Sequence, residues 1–171
     1  LHRGELAVIA ARPGAGKTTL ALQIGRELAD RHKKVLFLSL EMTRQQLVER
    51  LLVQWTQTNA WDLRTGKNVD ALEARLAPMR KVIPHLNLRV ADGIGYTVNQ
   101  VQHLLYKLDT DGGGAPDVLM IDFVQLVAAE AGLQQHATIS EYIRALKELA
   151  IQYRMAVVIC SQINRESSKN A

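Results

Sequence analysis

The sequence predicts an α/β fold, a mostly parallel sheet with helices on both faces. Three observations lead there. Five apolar runs of strand length alternate with segments of helical periodicity. The runs are mostly continuous rather than alternating, as strands covered on both faces should be. The first run breaks at glycines and passes at once into a helical pattern, as a strand-turn-helix unit would.

In chain order, the expected strands are "LAVIAA" (6–11), "VLFLSL" (35–40), "LNLRVA" (86–91), "VLMID" (118–122) and "MAVVICS" (155–161). Helices are expected over 18–30, 43–57, 68–82 with a break at Pro78, 97–108 and 138–153. Three open with a Ser/Thr-x-x-Glu/Gln capping box: Thr43 with Gln46, Thr97 with Gln100, and Thr138 with Glu141. In the last helix Ile139, Ile143, Leu146, Ala150 and Tyr153 recur at intervals of three and four, a stripe for packing on the sheet. Loops are expected at "ADGIGY" (91–96) and "DTDGGGAPD" (109–117). No internal repeat or low-complexity tract interrupts the pattern.

The stretch "VIAARPGAGKTTLALQIG" (8–25) carries the clearest chemistry. A helix N-terminus leaves its first N–H groups unpaired and partly positive, so a turn that lets backbone approach closely makes an anion cradle. The loop Arg12, Pro13, Gly14, Ala15, Gly16, Lys17, Thr18, Thr19 fits a phosphate site. Gly14 and Gly16 supply unusual dihedrals, Lys17 a point charge for the β- and γ-phosphates, and Thr18 a hydroxyl for Mg²⁺. The general pattern begins with glycine, whereas this chain has Ala11.

Asp122 closes the run "VLMID", at the carboxyl end of a buried strand, where open α/β sheets bind ligands. Paired with the phosphate loop, it is a candidate to hold Mg²⁺. Glu41 ends "VLFLSLE" just before the Thr43 cap, and either orients and deprotonates an attacking water or merely favours the next helix's N-terminus. Gln162 lies just past the last expected strand, where its amide could bond a γ-phosphate or simply cap the strand.

Bulk properties bound the partners. The chain has 171 residues, enough for one domain with a sizeable core. It begins at Leu1 and its last ten residues, "QINRESSKNA", are mostly polar, so the expectation is one domain over 1–171, truncated at its C-terminal end. A net charge of +4 permits a polyanionic partner without demanding one. The single cysteine, Cys160, excludes an internal disulfide and reads as a buried small hydrophobe in a reducing, cytoplasmic setting. No apolar stretch approaches a membrane span and no signal peptide is visible, so no membrane partner is expected.

The segments "ARPGAGKTTLALQIG", "VLFLSLEMTRQQLVERLL", "VLMIDFVQLV", "ISEYIRALKELA" and "VVICSQINR" come in an order and spacing that resembles the RecA-like motor domain of DnaB-type replicative DNA helicases. That family's phosphate loop often begins Ala-Arg-Pro, so Ala11 matches it. The resemblance runs from Leu6 to Arg165 and implies a RecA-like P-loop NTPase, ATP and Mg²⁺ as cofactors, and a homo-oligomer, a hexamer, acting on single-stranded DNA through the full-length ring. It also implies roles: Lys17 and Thr18 on phosphate and Mg²⁺, Glu41 as catalytic carboxylate, Asp122 on the metal, Gln162 as γ-phosphate sensor.

Two departures stand beside it. The loop "AAEAGLQQHAT" (128–138), where the family carries a longer basic loop facing the channel, has no Lys or Arg and only His136, which reads as solvated. The chain also stops at Ala171, before the family's other DNA-binding loop and its arginine finger. Two other readings are a RecA-like recombination or regulatory ATPase without unwinding activity and, further off, a P-loop small-molecule kinase. No arginine-rich lid for a kinase follows the phosphate loop.

Overall fold

A computed structural model describes residues 1–67, 69–93, 96–122 and 135–163, and of residues 135–138 the backbone alone. The strands are β1 (Leu6–Ala11), β2 (Val35–Ser39), β3 (Leu88–Asp92), β4 (Val118–Asp122) and β5 (Ala156–Gln162). They form one parallel sheet in the order β1-β5-β4-β2-β3. The helices are α1 (Lys17–Asp30), α2 (Arg44–Thr56), α3 (Ala60–Thr65), α4 (Val69–Val82), α5 (Val98–Leu108) and α6 (Gln135–Gln152).

Alternate residues of each inner strand enter opposite cores, because side chains point to the two faces in turn. Leu36, Leu38, Leu119, Ile121, Val157 and Ile159 pack with α5 and α6 through Val101, Leu105, Tyr142 and Leu146. Val35, Phe37, Met120, Val158 and Cys160 pack on the other face with α1 and α2 through Ala21, Leu22, Leu47 and Leu51. Gly25 lets α1 lie close: a Cβ there would stand 3.0 Å from Met120 Sδ. Strands β2 and β4 are buried throughout and β5 over its first five residues, whereas the edge strands β1 and β3 are only partly covered, β1 despite its continuous apolar run.

The capping boxes at Thr43 and Thr97 form, each hydroxyl accepting from the amide three residues on and each glutamine reaching back. The third does not. Helix α6 begins at Gln135, so Thr138 lies inside it and the expected loop over 128–138 ends in helix. The i, i+3 spacing of a capping box is also the spacing of one face within a helix, so that pattern alone cannot mark a start. Residues 128–134 of that loop, and the side chain of His136, lie outside the described residues, as do Arg165 and Asn68.

Other expectations shift. Helix α4 runs through Pro78 without a break. The proline removes one backbone donor to Ala74, and this helix has no buried residue, so water can serve the bare carbonyl. Helix α3 has no counterpart among the expected elements; Asn59 caps it by accepting from the Trp61 amide at 2.9 Å. The expected loop at 109–117 opens with a wide helical turn over Asp109–Gly113, which ends where Gly112 takes φ 80°. Strand β5 extends to Gln162, which pairs with Ala11, so this glutamine sits in the strand rather than past it. Among the described residues no helix is long and apolar enough to cross a membrane.

Candidate functional site: a cleft at the carboxyl ends of the strands

Because all five strands run the same way, Ala11, Ser39, Asp92, Asp122 and Gln162 end on one edge of the sheet. The turn after β1 closes with the Ala15 amide donating to the Arg12 carbonyl at 3.2 Å. Gly14 and Gly16 adopt φ of 74° and 83°, the left-handed region that side chains disfavour. A Cβ at either would meet nothing within 4 Å, so the dihedral rather than crowding calls for glycine, and the space in front of the turn stays open. Gly16 is the N-cap of α1 and offers no side-chain cap, so the first amides of α1 face that space without one. This is a cradle for an anion.

Behind it, Thr18 Oγ1 donates to Asp122 Oδ2 at 2.5 Å. Asp122 is fully buried, and among the described residues its Oδ1 has no hydrogen-bond partner. A buried carboxylate oxygen left bare carries a large desolvation cost unless a cation meets it. One carboxylate and one hydroxyl beside an anion cradle form the all-oxygen donor set Mg²⁺ takes when phosphate and water complete its shell. The residues present therefore fit the metal. Cys160 lies against the same carboxylate: burial first, then the charge of Asp122, pushes its thiol up to about 12, against a pull from Lys17 in the other direction.

Glu41 reaches the cleft by a short tethered turn. The Leu40 amide donates to the Asp122 carbonyl at 2.6 Å, and the Met42 amide to Ser39 Oγ at 2.8 Å. Glu41 stands exposed between these two anchors. The Arg44 amide donates to Asp92 Oδ2 at 2.9 Å, and the Gln54 side chain donates to the Thr19 carbonyl at 2.8 Å, so β3 and α1 both hold α2 in place.

The resulting open cleft, about 630 Å³, is lined by Arg12, Pro13, Gly14, Gly16, Lys17, Thr18, Thr19, Glu41 and Gln162. The structure thus gathers the phosphate-loop candidates other than Ala15, together with Glu41 and Gln162, round one space, with Asp122 behind Thr18; Ala15 does not line the cleft, and its amide closes the turn on Arg12. It adds Met42, Gln46 and Arg50, which the sequence reading does not select. In the sequence Gln46 reads only as a capping residue. Arg50 lies one helical turn further on the same face, an i, i+4 spacing that finds it once α2 is known to border the loop.

The family model described as "DnaB-like helicase C terminal domain" matches residues 1–171. The chain is 33% identical over 171 residues to the replicative DNA helicase DnaB of Haemophilus influenzae, covering 96% of this chain and 36% of that protein. Against its counterpart in Geobacillus stearothermophilus it is 31% identical over 167 residues, with the same coverages. The chain therefore spans little more than a third of the length of these curated relatives. Among solved structures, an ATPase domain superposes with a TM-score of 0.88 at 27% identity, covering 99% of this chain and 61% of that one. A DnaB-like replicative helicase, solved in a study of its interactions with primase, superposes with a TM-score of 0.87 at 27% identity, covering 99% of this chain and 41% of that one.

Proposed function

The chain belongs to the DnaB-like helicase C-terminal domain family, and from that membership we propose that it is the ATP-hydrolysing motor of a replicative DNA helicase. In this reading it works in a homo-oligomeric ring, a hexamer, that translocates on single-stranded DNA and unwinds the duplex. The observation that carries the nucleotide part is the Thr18–Asp122 pair, with Asp122 Oδ1 bare, directly behind an uncapped helix N-terminus.

Each residue then has a task. The amides that follow Gly14 and Gly16 bind phosphate oxygens, and the Lys17 ammonium reaches the β- and γ-phosphates. The Thr18 hydroxyl and Asp122 would hold Mg²⁺, which would supply positive charge to offset that of the phosphates. Glu41 orients a water and accepts its proton as the water oxygen attacks the γ-phosphorus. The bond from that phosphorus to the β–γ bridging oxygen breaks, leaving ADP and phosphate. The Gln162 amide bonds the γ-phosphate, and its strand pairing with Ala11 ties that contact to the turn that follows β1. Loss of the γ-phosphate would be felt at both ends of that pairing.

The test is strand displacement by the intact protein on a forked duplex, with ATP and Mg²⁺. Displacement that stops when a non-hydrolysable ATP analogue replaces ATP is expected. Hydrolysis stimulated by single-stranded DNA with no displacement would instead favour a RecA-like recombination or regulatory ATPase.

A further inference from the structure

A second concavity lies at the opposite edge of the sheet, where β2, β3 and β4 begin, and it shares no residue with the nucleotide cleft. Its volume is about 290 Å³. Two cations border it, Lys34 just before β2 and Arg89 on the edge strand β3. Both reach the same glycine turn. A Cβ on Gly113 would stand 2.6 Å from Arg89 Nη2, and one on Gly114 would stand 2.8 Å from Lys34 Nζ. The absence of side chains there lets an ammonium and a guanidinium come together over adjacent residues.

Neither cation is neutralised by the acids nearby. Among the described residues, no carboxylate lies within salt-bridge distance of the Lys34 ammonium or the Arg89 guanidinium. Asp117 takes the Lys34 amide at 3.0 Å but pairs its charge with Arg3 at 2.7 Å, and Asp109 accepts from the Ala115 amide at 3.0 Å. Like charges held together without a counter-ion are unfavourable, so the site is suited to a ligand that brings negative charge.

The wall between the cations decides which anion. Leu86, Leu108 and Pro116 make it aliphatic, and none of the lining residues is aromatic. A nucleic acid would need rings for base stacking and a longer track of cations. A free phosphate would leave the apolar wall unused. We propose that this pocket binds an acidic segment of a partner protein, with carboxylates on Lys34 and Arg89 and an aliphatic side chain against Leu86 and Leu108. An occupant there sits across the sheet from the nucleotide cleft, so both can be filled together.

The experiment measures fluorescence anisotropy of a short fluorescein-labelled peptide alternating Glu and Leu, added to the intact protein. The parent protein should bind it, and the double variant Lys34→Glu, Arg89→Glu should bind at least about tenfold more weakly, since two charge-assisted contacts are lost. The neutral pair Lys34→Gln, Arg89→Gln gives the same reading should charge reversal disturb folding. A peptide with Lys in place of Glu should not bind. Equal binding by parent and variants, or no binding up to about 1 mM, overturns the proposal. Displacement of the peptide by oligothymidylate or by inorganic phosphate alone also overturns it, in favour of a nucleic-acid or phosphate site.

Discussion

Thr18 and Asp122, 104 residues apart in sequence, are joined by a 2.5 Å hydrogen bond that ties the first turn of α1 to the carboxyl end of β4. The bond occupies Oδ2 and leaves the buried Oδ1 without a hydrogen-bond partner among the described residues. Asp122→Asn tests this directly. The amide keeps an acceptor for Thr18 and removes the charge. Without Mg²⁺ the variant should unfold at the same temperature as the parent or higher, because a buried bare charge has gone. The parent's thermal stabilisation by Mg²⁺ with nucleotide should be lost in the variant. An equal Mg²⁺-dependent shift in both proteins would remove Asp122 from the metal site.

Lys17→Ala deletes a charge at a loop rather than volume from the core. Circular dichroism should be unchanged while nucleotide binding or turnover is abolished. Binding of ATP at the parent's affinity by a folded variant would mean that the loop at 12–19 is not the phosphate site.

Cys160 is buried, and its thiol is pushed up to about 12 by burial and by Asp122. A raised thiol pKa keeps the unreactive protonated form at neutral pH; its contribution to stability is intact below the ordinary thiol value of 9 and is lost as the pH rises from there through about 12. Iodoacetamide at pH 8 should leave the native protein unmodified and label it once urea unfolds it. Rapid labelling of the native form would show a thiolate that this packing does not allow.

Most of the architecture was legible because it is written in local patterns. Continuous apolar runs mark the buried strands β2 and β4, and Thr43 and Thr97 mark their helices through reciprocal bonds only three residues apart. The glycine turn at 12–19 and Asp122 could be singled out for the same reason, each standing at the end of a recognisable run, and the structure sets both at the carboxyl edge of the sheet. What escaped depends on contacts distant in sequence or on elements too short to show a period. Helix α3 has six residues and no buried side chain, so no apolar stripe announces it. Arg50 belongs to the cleft only because α2 is held beside the loop by Gln54 and Asp92, a fact no spacing within α2 contains. Pro78 misled because its cost in a helix is real, about 3 kcal/mol, yet an exposed helix can carry it.

Glu41 carries the central claim, that the cleft hydrolyses ATP rather than merely binding phosphate, and Glu41→Gln is its most direct test. Glutamine keeps the shape and hydrogen-bonding reach of the side chain but cannot accept the proton of the attacking water. The measurement is the rate of ATP hydrolysis by the assembled intact protein, alongside ATP affinity. ATP should bind as tightly as in the parent, with turnover reduced about a hundredfold or more. Turnover within about twofold of the parent would contradict the account and leave Glu41 as a carboxylate that only favours the N-terminus of α2.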